Sequence, residues 1–497
     1  MKRDILARKW CELPEEPLKA LQMAKLRNYL RKMVLPYHAW YREHLSGLEV
    51  DDLRTVEDLA RIPFTTKEEM ANATGGPRSF VIAPEPEGLR RKPSTIAYAL
   101  LHGKAAAKRA LQSEFRPILL TSTTGRSAEP LPFVFTGHDI ANLEATGIRI
   151  MEVAGAREED RMLNMFPFAP HLAFWQTHYA GTAFGVFMLS SGGGKTMGTE
   201  GNLRLMRKIQ PDILVGVPTF IYHVLHEAVQ EGVSCEKLRK LVLGGEKVPK
   251  GMRRKLIELA KEAGAGEVEV VTTYGFTEAK MAWVECPVSV TENSPGYHLY
   301  PDLGIVEIVD PKTGAIQLPG KPGEIVFTAL DARGTVVLRY RTGDVTDGGI
   351  TYEPCPLCGR CCPRLFGKIS RRSEIREVQL DKLKGTLVDF NTLEHVLDDM
   401  PGLAAWQIEL RKANNDPLDV DQVILHVAKE DSVEEESLRD QIARRVFEQT
   451  EVHPNSVEFH NMSRMRKLQG VGESLKELKL VDHRPDPSVV TEKGASR

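Results

Sequence analysis

Residues 212–275 read DILVGVPTFIYHVLHEAVQEGVSCEKLRKLVLGGEKVPKGMRRKLIELAKEAGAGEVEVVTTYG. Three apolar, β-rich runs, DILVGV, KLVLGG and VEVVTTYG, lead into turns containing Gly, Ser or Thr. Between them, TFIYHVLHEAVQE and KGMRRKLIELAKEA place apolar residues at helical spacing. Strands ending in polar loops before helices indicate an α/β protein with a largely parallel sheet. Ligands in such sheets sit beyond the carboxyl ends of the strands. The polar turns are therefore where chemistry is expected.

Outward from this stretch, the pattern begins near PILLTS (117–122). Upstream, residues 17–45 carry helical spacing broken at Pro36. Residues 94–114 read as one helix, opened by a Ser/Thr cap and ended near Pro117. Downstream, GIVEIVD, GEIVFTAL and TVVLRYRTG are short strands between Pro/Gly turns. They predict a β-rich subdomain over 304–370 that includes a cysteine knuckle. Near the end, DQVILHV, VEEESLRDQIARRVFEQ and SVEFHNM read as strand, helix and strand. The expected organisation is a large domain over 1–371, a small α+β domain over 372–485 and a disordered tail over 486–497.

The chain has 497 residues, 42% hydrophobic and 27% charged, with a net charge of −2. At about 150 residues per domain, two to four domains or subdomains are expected. The balanced charge argues against a dedicated nucleic-acid binder, which usually shows a basic excess. No apolar run reaches the length of a membrane helix. MKRDILARKWCELPEEP lacks the apolar segment of a secretory signal. Four of the seven cysteines fall between Cys355 and Cys362, which reads as metal chemistry in a reducing compartment. A cytoplasmic protein is expected.

Three loops carry candidate chemistry. TSTTGRSAEPLPF (121–133) puts hydroxyls and a glycine after a strand, donors suited to phosphate. TTYGFTEA (272–279) offers an aromatic ring to stack a base, with Thr and Glu for phosphate and Mg²⁺. RYRTGDV (339–345) sets Asp344 on a tight turn, where a carboxylate can accept from a ribose diol. SSGGGKT (190–196) is a decoy: a Walker A loop needs glycine where Leu189 stands.

In this order and spacing the motifs resemble those of the adenylate-forming superfamily of acyl-CoA synthetases, adenylation domains and luciferases. Within it the chain most resembles the phenylacetate–CoA ligase group, from about Tyr41 to Arg484. LARIPFTTKEEM (59–70), TSTTGR, LVLGGEKVP (241–249), TTYGFTEA and GEIVFTAL…VLRYRTGDV carry the likeness. The resemblance implies a large N-terminal domain and a small mobile C-terminal domain. It implies an AMP-forming acid–CoA ligase using ATP, Mg²⁺ and CoA, with an aromatic or hydrophobic acid as substrate. Two alternatives stay open: transfer of the acyl group to a carrier protein or protein thiol, and a non-catalytic nucleotide-binding homologue.

By position, the resemblance assigns Tyr274 and Gly275, with Gly244, Gly245 and Glu246, to the adenine side. It assigns Thr123, Thr124, Gly125 and Arg126 to the phosphates, Thr277 to the AMP phosphate and Glu278 to Mg²⁺. Asp344 and Arg371 fall on the ribose contacts. In KELKLVDHR (476–484) Lys476 falls on the adenylation lysine. Three departures stand out. Ser122 and Arg126-Ser127 replace a glycine and a Lys-Pro of the phosphate loop. The hinge reads Ser-Arg-Arg-Ser-Glu over 370–374. Extra sequence lies between about 71 and 118.

Cys355-x-x-Cys358 has zinc-knuckle spacing. Two more ligands are needed: Cys361 and Cys362 are local candidates, Cys286 and His298 distant ones. Some relatives carry Cys and His at the distant positions, so the resemblance favours structural zinc on Cys286, His298, Cys355 and Cys358. In NMFPFAPHLAFWQ (164–176), His171, Phe168 and Phe174 are candidates to line an acid pocket.

Overall fold

The computed structural model describes residues 5–123, 130–288, 294–371, 377–379, 387–413, 421–450, 453–471 and 477–484. A nine-stranded sheet forms its centre. Its order is Gly349–Thr351, Arg364–Phe366, Tyr297–His298, Met281–Val284, Glu269–Phe276, Lys240–Gly244, Ile213–Gly216, Arg161–Asn164 and Phe187–Ser190. From Glu269–Phe276 to Phe187–Ser190 neighbouring strands run parallel, and the other pairs are antiparallel. The three runs that open the sequence reading are adjacent strands here. Helices Pro218–Gln230 and Lys250–Glu262 make the crossovers between them. Ile221, Val224, Leu225, Leu256 and Ala260 pack on Leu214, Leu241, Leu243 and Val270. The apolar stripe of each helix thus meets a face of the sheet.

A second, antiparallel sheet contains Gly304–Val309, Gly323–Ala329, Tyr340–Thr346 and Ile369–Arg371. LARIPFTTKEEM is laid against it. Thr65 N–H donates to Arg339 O (3.1 Å), and Arg341 N–H donates to Thr65 O (2.9 Å). Arg339, at φ 47°, packs over Phe64 (4.2 Å to the ring centre) and pairs with buried Glu307 (3.2 Å). A third sheet has the order Ser456–Phe459, Asp421–Lys429, Leu403–Lys412, Leu480–Asp482. Its core holds Trp406, Ile408, Leu425, Ile442 and Val446, the last two from helix Glu435–Thr450. No helix among the described residues is long and apolar enough to cross a membrane.

Four sequence readings change in detail. PILLTS is a strand, but it pairs antiparallel with Pro132–Thr136 in a separate ribbon. Residues 123–131 between them are fewer than a parallel crossover needs. The helix expected over 94–114 is two helices, Pro93–His102 and Lys104–Phe115, divided at Gly103, whose φ of 86° no helix accommodates. The first begins on Pro93 with no side-chain cap. The N-terminal helical stretch breaks after Tyr37, because extended His38 caps the next helix through its ring, accepting from Tyr41 N–H (3.2 Å). The short strands flanking the cysteine knuckle join the edge of the nine-stranded sheet rather than the four-stranded one.

Candidate active site and metal centre

The polar turns converge at the carboxyl ends of Lys240–Gly244 and Glu269–Phe276. Gly244 closes the first strand, and a Cβ there would lie 2.4 Å from Thr273 Oγ1. Gly245 turns at φ 85°, which favours glycine. Glu246 follows, its carboxylate accepting from Thr219 Oγ1–H (2.6 Å) at the start of helix Pro218–Gln230. A carboxylate there also suits the helix dipole.

Tyr274 is on the next strand. Its hydroxyl donates to Asp344 Oδ2 (2.8 Å), and its ring lies near Trp283 (6.0 Å between centres, 25° between planes). A Cβ on Gly275 would meet Ala282 Cβ at 2.8 Å, so this position needs glycine for the strands to approach. Thr277 and Glu278 form a tight turn with Ala279, and Lys280 follows at φ 58°. Glu278 Oε1 accepts from Tyr340 Oη–H (2.8 Å). Asp344 is buried, its backbone N–H donating to Thr342 Oγ1 (3.0 Å). The register sets Asp344 opposite Arg371. Tyr274 thus meets Asp344, and Tyr340, four residues before Asp344 and not singled out from the sequence, orients Glu278. The signal was present: Tyr340 belongs to the same RYRTGDV motif.

Thr123 is buried, and its hydroxyl oxygen accepts from Leu131 N–H (3.0 Å), joining the two ends of the Thr/Gly-rich segment expected to bind phosphate. Thr124, Gly125, Arg126 and Lys476 lie outside the described residues, as does the hinge after Arg371. The residue after Lys476 does reach the site: Glu477 N–H donates to Glu246 Oε1 (3.3 Å). Burial pushes the Glu477 carboxyl up to about 7, against the opposing effect of Lys479. Lys479 is held by Asp398 (2.7 Å) and lies over the Trp406 ring (4.3 Å).

Phe168 and Phe174, with Leu120, Trp175 and His178, line an apolar cavity of about 520 Å³. His171 lies beside it and performs another task, its ring Nδ1 3.1 Å from Ser122 O. That contact ties the start of helix Leu172–Phe184 to the end of strand Pro117–Ser122.

The four favoured metal ligands meet at one point. The Sγ atoms of Cys286, Cys355 and Cys358 and the ring nitrogen of His298 all lie within 4.8 Å of one another. Cys358 Sγ is 3.3 Å and Cys286 Sγ 3.8 Å from His298 Nε2. His298 Nδ1 sits 3.2 Å from Val284 O, which fixes the tautomer that points Nε2 inward. Strand register makes the set: Val284 pairs with His298, and His298 with Arg364. Gly359, at φ 70°, turns the knuckle. Neither Cys361 nor Cys362 belongs to the cluster; Cys362 is fully buried, and Cys361 Sγ faces Gly359 O (3.7 Å). Hydrogen bonds from its neighbours hold the Cys358 thiol well below the usual range, the bond to Cys358 and then burial push Cys286 up, and burial pushes Cys362 up. Three sulfurs and one imidazole at this spacing suit a soft, tetrahedral cation.

The chain is similar to known proteins in sequence and in fold. Residues 134–330 match the family described as AMP-binding enzyme. The chain is 27% identical over 407 residues to phenylacetate-coenzyme A ligase of Thermus thermophilus, covering 80% of each protein. It is 24% identical to the ligase of the same name from Escherichia coli, covering 67% of each. The crystal structure of 2-hydroxyisobutyryl-CoA ligase in the postadenylation state superposes with a TM-score of 0.74 at 18% identity, covering 98% of this chain and 93% of that one. Residues 134–330 thus carry the AMP-binding enzyme signature, the chain is similar in sequence to phenylacetate-coenzyme A ligases, and its fold is that of a solved CoA ligase.

Proposed function

We propose that this protein is an AMP-forming acid–CoA ligase acting on an aromatic or similarly apolar carboxylic acid. The observation that carries this reading is the pairing of Tyr274 with Asp344 and of Tyr340 with Glu278, with the chain next to Lys476 joined to Glu246. The relatives' names supply the reaction class. The cavity beside Phe168, Phe174 and Trp175 supplies the preference for an apolar acid.

In the first half-reaction an acid carboxylate oxygen attacks the α-phosphorus of ATP and pyrophosphate leaves. In the second, a CoA sulfur attacks the acyl carbon and AMP leaves. Tyr274 lies against the adenine, and Asp344 accepts from the ribose hydroxyls in company with Arg371. Thr123, Thr124, Gly125 and Arg126 hold the phosphates, and Thr277 contacts the AMP phosphate. Lys476 places its ammonium where the carboxylate and the α-phosphate, both anionic, must approach. Glu278, oriented by Tyr340, is the residue to hold Mg²⁺, which supplies charge neutralisation at the phosphates when bound. Cys286, His298, Cys355 and Cys358 would hold a structural Zn²⁺ that ties three short strands and the knuckle together. The domain division at residues 371/372, with a C-terminal unit that turns between half-reactions, belongs to the same proposal.

ATP–pyrophosphate exchange over a panel of acids, followed by thioester formation with CoA or an acyl-carrier protein, tests the proposal. Exchange should be strongest with arylacetic or other apolar acids, and CoA should be the acceptor. Best exchange with acetate or an amino acid would remove the substrate assignment. No exchange with any acid, with ATP still bound, would leave a non-catalytic nucleotide-binding protein.

A further inference from the structure

The C-terminal sheet carries a second cluster of ligating side chains, away from the cysteines. Strands Asp421–Lys429 and Ser456–Phe459 run parallel with His426 opposite Glu458. The period-two alternation of a strand puts residue 460 on the same side as residue 458, and His460 N–H is anchored to Val427 O (2.8 Å). Three ligand atoms converge there. His426 Nδ1 lies 3.0 Å from His460 Nε2 and 3.4 Å from Glu458 Oε2, and the last two are 3.9 Å apart.

The surroundings orient this triangle. His426 Nε2 is 2.7 Å from Glu409 Oε2, whose other oxygen lies 3.1 Å from His483 Nδ1. With Nε2 held by that carboxylate, Nδ1 is the ring atom directed at His460 and Glu458. A cation satisfies all three atoms together. Ligands about 2.0–2.1 Å from a zinc ion in tetrahedral geometry stand a little over 3 Å apart, which the observed triangle brackets. The Glu409–His426 pair is the outer carboxylate that orients a metal-bound imidazole. His426 is buried, whereas the Glu458 side chain is 45% exposed, which leaves an entry path and room for water.

We propose that His426, Glu458 and His460 form a second divalent-cation site, of the zinc class, open to solvent on one side. Two imidazoles and a carboxylate favour this class over calcium or magnesium. The site stands at the root of helix Met462–Leu468, whose Arg466 pairs with Glu227 (3.1 Å) and donates to His223 Nδ1 (3.1 Å) on helix Pro218–Gln230. An ion there would brace the base of that contact.

The test is Zn²⁺ counting on the full chain, by equilibrium dialysis at fixed free Zn²⁺ and elemental analysis. Wild type should hold one ion more than His460→Gln and one more than Glu458→Gln. His460→Gln keeps an amide N–H to meet His426 while removing the imidazole. Cys358→Ser should still hold the ion of this second site, whether or not the cysteine cluster is loaded. Added Zn²⁺ should raise the melting temperature of Cys358→Ser but not that of Cys358→Ser/His460→Gln. Equal Zn²⁺ counts in wild type, His460→Gln and Glu458→Gln would overturn the proposal, and so would a Cys358→Ser chain that holds no ion. Either result would leave the cluster a plain hydrogen-bond network. Circular dichroism of the zinc-free variants separates loss of ligand from loss of fold. If His460→Gln does not fold, the count in Glu458→Gln decides.

Discussion

Lys476 and Lys479 stand three residues apart in one segment, and of the two only Lys479 lies among the described residues. Lys479 is committed to Asp398 and the face of Trp406. Lys476→Ala should lower acid-dependent ATP–pyrophosphate exchange about 100-fold or more, roughly 2.7 kcal/mol of transition-state stabilisation. Conversion of a supplied acyl-AMP and CoA should stay near the wild-type rate. Lys479→Ala should instead lower the melting temperature, at a cost of about 1–3 kcal/mol for stranding a partly buried carboxylate. Equal loss in both half-reactions for Lys476→Ala would make that residue structural. Glu477 adds a pH dependence. Its carboxyl is raised from 4.5 to about 7 in the folded chain, so the folded state holds this proton more tightly than the unfolded state. The stability it contributes is present below about pH 4.5 and is lost as pH rises through about 7. Melting curves should show that loss in wild type and a weaker pH dependence in Glu477→Gln. Identical pH profiles would remove Glu477 as its source.

At the scale of elements, the cysteine knuckle can be tested by ligand removal. The four ligands come from three separate stretches, Cys286, His298 and the Cys355–Cys358 knuckle, so an ion there would replace packing that such short strands cannot supply. Cys358→Ser should lose that ion and melt earlier, whereas Cys361→Ser should keep it, because Cys361 Sγ faces Gly359 O. Metal retained in Cys358→Ser and lost in Cys361→Ser would move the site to the local cysteines. Cys-x-x-Cys was legible because its spacing is local. The other two ligands are 69 and 57 residues before Cys355 by number (355 − 286 and 355 − 298), and only the resemblance pointed to them. The division at Gly103 was also legible in principle, since glycine at positive φ ends helices. The apolar spacing on either side of it masked the break.

For the whole molecule, the question is how the C-terminal sheet is held against the nine-stranded one. Arg466 reaches Glu227 and His223, Lys247 reaches Glu394 (3.2 Å), and Lys255 reaches Glu430 (3.3 Å). These are partly exposed ion pairs, each worth about 1 kcal/mol or less, weak enough to break if the proposed turning of the C-terminal unit occurs. Arg466→Ala should change the ratio of adenylation to thioester formation by several-fold while moving global stability by about 1 kcal/mol at most. Rapid-quench measurement of the two half-reactions checks this. An unchanged ratio would show that the contact plays no part in alternation.

The sequence by itself determined the order of elements from residue 212 to 276, the Gly and aromatic positions of the turns, and Asp344. It could do so because helical and strand periods and turn chemistry are written in neighbouring residues. Only the tertiary structure decided that Tyr274 meets Asp344, that Tyr340 holds Glu278, that the chain beside Lys476 meets Glu246, and that His426, Glu458 and His460 share one point. These meetings depend on strand register and on packing between segments up to 231 residues apart. A register slip of one residue reverses every side chain of a strand, and no local pattern specifies which distant strand will lie alongside.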